Sequence, residues 1–194
     1  MNIFFRRTYR LGKLPQEGAI LDVGANVGLA AAWFAHHNPD KSIYCFEPLT
    51  SNARMVELNC PSASVQPVAL GAGPQTVKLQ VDPDQVMASS IPCNWPTSEV
   101  EFRVMALDSF IAEQNVGQVA LLKIDVEGME LEVLRGARQT LRQTCQVVME
   151  THGQSLHDEA KQILADAGLG LDSEEFDGKT GMLFASRNEM IAPL

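Results

Sequence analysis

Ala19-Ile20-Leu21-Asp22-Val23-Gly24-Ala25-Asn26-Val27-Gly28 carries the chain from a short apolar run into a turn bounded by two glycines. The run from Ala19 to Val23 is continuous rather than alternating, as expected of a strand covered on both faces. Beyond the turn, Val27, Ala30, Ala31 and Phe34 fall at helical spacing, and Asn38-Pro39 supplies the stop. A buried strand, a glycine turn and a helix make the opening unit of an open sheet whose strands run parallel.

The same alternation continues downstream. Ser42 to Phe46 reads as a second strand, Ser51 to Asn59 as a second helix stopped by Pro61, and Ser64 to Ala69 as a third strand. Val77 to Val81 is a further strand. From Gly71 to about Arg103 the pattern weakens, and after that strand comes a loop containing Pro83, Pro92 and Pro96, long enough to cover a site. Order returns at Arg103 to Ala106, followed by a short helix from Asp108 and the strand Val119 to Ile124. A helix over Gly128 to Arg142 buries Leu131, Leu134 and Leu141, and Thr144 to Met149 is the next strand. Ser155 and Asp158 form a capping pair for a helix carrying Leu156, Ala160, Ile163, Leu164 and Ala167. Strands at Gly170 to Phe176 and Gly181 to Ser186 join through Asp177-Gly178, a hairpin signal. The expected architecture is α/β, a mostly parallel sheet with helices on both faces and a C-terminal antiparallel hairpin. One domain covers 1–194, with a short arm at 1–18 and a lid loop at 82–100.

With 194 residues, 20% charged and 45% hydrophobic, the chain has the balance of a globular domain. A net charge of -9 disfavours a broad face for phosphate backbones, so a nucleic-acid partner is not expected. Arg6, Arg7, Arg10 and Lys13 are the basic cluster, read as a solvated arm or as a contact for an anionic ligand. Cys45, Cys60, Cys93 and Cys145 are scattered without C-x-x-C spacing, which argues for reduced thiols over a zinc site or disulfides. No run approaches the roughly 18 apolar residues of a membrane helix. MNIFFRRTYR lacks the pattern of a secretion signal, so a cytoplasmic location without membrane insertion is expected.

The Asp22 to Gly28 turn lies where open α/β sheets bind ligands, beyond the carboxyl end of a strand. Gly24 and Gly28 permit tight geometry and remove Cβ atoms from a ligand's path, while the helix that follows offers N–H groups to an anion. A dinucleotide fingerprint needs glycines at the places held by Asn26 and Leu29, which speaks against an NAD(P)-dependent oxidoreductase. Asp22 would repel a pyrophosphate yet could accept hydrogen bonds from an ammonium group. Glu47, followed by Pro48, stands 23 positions beyond Gly24. An acidic side chain there typically accepts both ribose hydroxyls, and it would equally suit a surface strand end. A nucleoside bearing an amino acid matches this mixture of donors and acceptors, and S-adenosylmethionine is such a molecule.

DVGANVG at Asp22 to Gly28, FEP at Phe46 to Pro48, VALG at Val68 to Gly71, LDSF at Leu107 to Phe110 and LLKIDVEGMELEVLRGA at Leu121 to Ala137 occur in that order, with METHG at Met149 to Gly153 after them. Together, over roughly Ile20 to Gly168, they resemble the FkbM family of methyltransferases. The resemblance implies a Rossmann-like class I fold with a seven-stranded sheet, and methyl transfer to a hydroxyl oxygen of a small molecule, saccharide or glycolipid. It implies a cofactor pocket of Asp22, Gly24, Ala25, Asn26, Val27, Gly28, Glu47 and Pro48, with Val68 and Ala69 flanking the adenine. Asp125 and Glu127 fall beside the sulfonium. Relatives often carry a longer N-terminal segment over the cofactor; the segment from Asp82 to Glu99, with Ser89, Ser90 and Trp95, is the alternative cover. A non-catalytic S-adenosylmethionine-binding or partner subunit is the rival reading.

An aliphatic hydroxyl is a poor nucleophile, so a base should stand near it. Asp125, Glu127, Glu150 and His152 are all expected at the carboxyl ends of adjacent central strands. Each has a plainer reading: Asp125 and Glu127 as helix caps, Glu150 as an acceptor of backbone N–H groups, His152 as a surface histidine. Glu130 reads as a solvated helix face, and His157 as solvated. His36 and His37 read as partners of a helix C-terminus, and Lys123 as a buried stem with its head in water. Asp125, Glu127 and His152 have the chemistry of a magnesium or manganese site, but their spacing is no ligand signature, and the reading without a metal is preferred.

Overall fold

The strand that opens the glycine turn is buried at every position. It has partners on both edges and a hydrophobic cluster against each face, Leu21 and Val23 on one side and Ile20 on the other. The computed structural model describes residues 13–82, 87–91 and 97–187. In chain order the elements are β1 (Ala19–Val23), α1 (Leu29–His37), β2 (Ile43–Phe46), α2 (Thr50–Asn59), β3 (Ser64–Gln66), β4 (Ala69–Leu70), β5 (Gln75–Val81), β6 (Ala88–Ser89) and β7 (Ser98–Met105). They continue with α3 (Leu107–Gln114), β8 (Val119–Ile124), α4 (Glu130–Arg135), α5 (Arg138–Arg142), β9 (Thr144–His152), α6 (Gln154–Asp166), β10 (Gly170–Phe176) and β11 (Thr180–Ser186).

Seven strands form one sheet in the order β10-β11-β9-β8-β1-β2-β3. β1 pairs in parallel with β2 and β8, as β8 does with β9 and β2 with β3. β11 runs antiparallel between β9 and β10. The expected α/β architecture and its closing hairpin are therefore present. Strand order reverses at β1, so the carboxyl ends of β1, β2 and β8 open onto one crevice, the usual place for a ligand in such sheets.

Several expectations are corrected. The third strand splits at Pro67, which has no N–H for a ladder: β3 stays in the large sheet, and β4 joins a second sheet of order β4-β7-β5-β6. The segment expected as a loop to residue 100 is strand from Ser98. Val100, Phe102 and Val104 alternate there, and Phe102 and Val100 pair opposite Val77 and Leu79. Asp82, Met87 to Ile91 and Thr97 are the other described residues of the expected lid; Pro83, Pro92, Cys93, Trp95 and Pro96 lie outside the described residues, as do Arg6, Arg7 and Arg10 of the arm. Residues 15–18 are held by Lys41, whose ammonium donates to the carbonyls of Pro15 at 2.6 Å and Gln16 at 3.1 Å.

The helix expected over 128–142 is two helices. Gly136 lies so close to the Gly71 carbonyl that a Cβ would stand 1.9 Å from it. Asp108 then starts α5 afresh by accepting the N–H groups of Gln139 at 3.0 Å and Thr140 at 2.8 Å. No Ser155–Asp158 cap forms: Gly153 precedes α6 without a side-chain cap, and Asp158 accepts from Gln154 instead. His157 is buried, with Nδ1 2.7 Å from Thr151 Oγ1 and Nε2 3.0 Å from Glu174. His36 and His37 do occupy the last turn of α1. No helix among the described residues is long and apolar enough to cross a membrane.

Candidate active site

The glycine turn is built from left-handed residues, with Gly24 at φ 75°, Asn26 at 50° and Gly28 at 83°. What requires the glycines is the protein itself. A Cβ on Gly24 would stand 1.8 Å from the Asp125 carbonyl, and one on Gly28 would stand 2.8 Å from Val56 Cα of α2. The N–H groups of the turn are likewise spent internally. Those of Gly24 and Ala25 go to the Phe46 carbonyl, that of Asn26 to Glu47, that of Val27 to the Asn26 side chain and that of Gly28 to the Ala25 carbonyl.

Asp22 does not face the crevice. Its side chain is fully buried, and Oδ1 lies 3.0 Å from Lys123 Nζ. Lys123 is buried as well, rather than reaching water, and donates to the Gly24 carbonyl at 2.6 Å. The ammonium that Asp22 meets is thus the protein's own, and the pair forms a floor joining β1 to β8 beneath the turn.

Above it lies a cavity of about 290 Å³. Gly24, Asn26, Glu47, Pro48, Val68, Ala69 and Asp125 line it, and so does Glu127. Of the other expected site residues, Asp22, Ala25, Val27, Gly28, Glu150 and His152 are not in its wall. Glu47 accepts the Asn26 N–H with one oxygen and the Leu49 N–H with the other, both at 2.9 Å. Burial pushes its carboxyl up to about 7 against those hydrogen bonds and one from Asn52. The sequence reading missed Asn52, Leu79, Met87, Ala88 and Met129 in the wall. Asn52 carried a weak signal, a polar residue on the buried face of a helix; the apolar residues carried none apart from ordinary core.

The segment from Met87 to Ile91 is tied to the turn after β8. Ser90 N–H and the hydroxyls of Ser89 and Ser90 all donate to the Glu127 carbonyl, at 3.1 to 3.2 Å. Glu127 adopts a left-handed φ of 51°, uncommon for a residue with a side chain. At the neighbouring strand end, His152 stands among carboxylates: Nδ1 is 2.7 Å from Glu130, and Nε2 is 3.4 Å from Glu127 and 4.0 Å from Glu150. The Glu130 hydrogen bond, and then the surrounding negative charge, raise the imidazole to about 9 against the effect of burial. Burial, with Asp125 adding to it, raises Glu150 to about 7. Burial also raises Glu127. Glu130, expected on a solvated face, is fully buried. Among the described residues no group of three or more His, Cys, Asp and Glu side chains is arranged to hold a metal ion.

A profile of the Methyltransferase FkbM domain matches residues 22–169, spanning both the glycine turn and the His152 cluster. The chain belongs to the FkbM methyltransferase family. An FkbM methyltransferase from Methylobacillus flagellatus superposes with a TM-score of 0.64 at 19% identity, over 95% of this chain and 47% of that one. Fibrillarin from Aeropyrum pernix, solved with natively bound S-adenosyl-L-methionine, superposes at 0.56 with 18% identity, over 90% and 70%. The FkbM fold here is accordingly the Rossmann-like class I methyltransferase fold. Methyltransferase 1 of Beauveria bassiana is 30% identical over 69% of this chain and 64% of its own length. A hexuronic acid methyltransferase of Haloferax volcanii is 23% identical over 84% and 67%. The chain thus spans about half the length of the Methylobacillus FkbM methyltransferase and about two thirds of the Beauveria and Haloferax methyltransferases.

Proposed function

We propose that this FkbM domain binds S-adenosylmethionine in the crevice at the ends of β1, β2 and β8 and directs methyl transfer to a hydroxyl oxygen of a small molecule or saccharide. The observation that carries the reading is the cavity wall itself. It sets a carboxylate, Glu47, between a glycine turn and an apolar patch of Val68, Ala69, Leu79 and Met87. Glu47's oxygens each accept one backbone N–H and retain lone pairs for ribose hydroxyls. The apolar patch suits an adenine face, and Asp125 and Glu127 put negative charge where a sulfonium would lie. Family membership, the adenosyl ligand in the fibrillarin relative and the sugar substrate named for the Haloferax relative all favour the same reading.

When bound, S-adenosylmethionine supplies an activated methyl carbon: the acceptor's C–O bond forms as the C–S bond breaks and S-adenosylhomocysteine departs. The chain's own residues align the acceptor, exclude water and take the hydroxyl proton. Glu150 is the base of this proposal. Its carboxyl titrates near neutrality, where a base combines availability with proton affinity, whereas His152 stays protonated to about 9 and serves as the fixed cation beside it. A cytoplasmic location and a non-nucleic-acid acceptor belong to the same reading, the latter supported by the net charge of -9.

Calorimetric titration with S-adenosylmethionine, S-adenosylhomocysteine and NAD in parallel tests it. Binding of both adenosyl ligands without NAD is the expected result. NAD binding alone, or silence with all three, would overturn it.

A further inference from the structure

We propose that Glu130 is the positioning residue of this site, holding the His152 ring by Nδ1 so that Nε2 faces Glu127, Glu150 and the acceptor. The proposal rests on the methyl-transfer reading for what the held ring serves, and on geometry alone for the holding. Acidic residues in a helix's first turn ordinarily reach water and favour the positive end of the dipole. Glu130 opens α4, yet none of it is exposed. Its Oε1 accepts the Gly128 N–H at 3.0 Å and lies 2.7 Å from His152 Nδ1, while Oε2 has no hydrogen-bond partner among the described residues.

A buried carboxylate with one oxygen unbonded is costly, and an apolar side chain of similar shape would fill the space more cheaply. What the carboxylate adds is a fixed acceptor for one ring nitrogen. With Nδ1–H given to Glu130, the other nitrogen and the plane of the ring are determined. The bond joins α4 to the end of β9, so the ring's place follows from the packing of two separate elements.

The groups facing the ring are Glu127 from the turn after β8, Glu130 from α4 and Glu150 from β9 itself. Across the ladder its partner is Thr180 of β11, which carries no charge. Held this way, the imidazolium lies beside Glu150, and Glu150 can receive the acceptor's proton next to a cation fixed by Glu130.

The experiment is a titration of the His152 ring nitrogens by NMR in the full, ligand-free chain, wild type against Glu130→Gln. The wild-type ring should stay charged until about pH 9, then keep its proton on Nδ1. In Glu130→Gln the midpoint should fall to the ordinary histidine range near 6.5 and the tautomer preference should weaken. The variant should also lose kcat while its affinity for S-adenosylhomocysteine holds within about twofold. A midpoint unchanged by the substitution overturns the proposal. So does a wild-type ring with mixed tautomers above its midpoint, a reading that decides the matter even if the variant does not fold. Both ring measurements are made without ligand, so they stand apart from whether S-adenosylmethionine binds.

Discussion

Replacing Lys123 by methionine takes the cation from beneath the glycine turn and leaves most of its stem. In the native chain Nζ lies 3.0 Å from Asp22 Oδ1, and the two side chains are 5% and 0% exposed, so solvent screens little of the attraction. Removing one member of such a pair strands the other as an unpaired buried charge, a loss of about 3–5 kcal/mol. A domain commonly has about 5–15 kcal/mol to lose. At about 2–4 °C per kcal/mol for a chain of this size, Tm should fall by roughly 6–20 °C. Urea denaturation of wild type, Lys123→Met and the double variant Lys123→Met/Asp22→Asn reads the effect directly. The double variant removes both charges and should recover more than half of the loss. A single-variant cost below about 1 kcal/mol, the range of exposed pairs, would refute the buried floor.

Three further outcomes are expected. Glu47→Ala should weaken S-adenosylmethionine binding by about 1–3 kcal/mol in calorimetry, and unchanged affinity would remove Glu47 from the ribose site. Stability should fall as pH rises. Glu47 and Glu150 hold their protons in the folded chain to about 7, whereas the unfolded chain releases them near 4.5, so each acts against folding as pH climbs through that interval. The His152 contribution is fully present below 6.5 and is lost as pH rises through about 9, which reinforces the trend. Urea midpoints that peak in the alkaline range would contradict this. Gly128→Ala would place a Cβ 2.4 Å from Ser90 Oγ at a φ of 101°, so hydrogen exchange at residues 87–91 should accelerate; protection equal to wild type would mean that segment does not rest on that glycine.

The large sheet was legible because each parallel strand, buried on both faces, announces itself as an apolar run, and each turn carries Gly, Asn or Pro. The second sheet was harder: Val100, Phe102 and Val104 alternate, but prolines in the same segment masked the pattern. Glu47, Val68 and Ala69 could be placed in the cavity wall from spacing and family motif. The roles of charged residues were the weak point, because sequence records charge and not burial. Asp22, Lys123 and Glu130 are each buried against a partner far along the chain, which no local pattern predicts. His157 was the exception, since it shares a helical face with Ala160 and Leu164 and could have been assigned to the interior.

The strand order also bears on when the protein becomes competent. β1 finds its inner partner, β8, only after about 100 residues, since Lys123 and the Gly24 carbonyl it anchors are 99 positions apart. Contacts of such long range close slowly, after the entropy of the intervening loop has been overcome. A ribosome-bound chain that ends before β8 therefore holds the whole glycine turn and Glu47 yet lacks the floor beneath them. The adenosyl recognition proposed for this crevice should be acquired late in synthesis and abruptly, when Lys123 and Asp125 clear the exit tunnel, rather than by stages as the first half of the domain emerges.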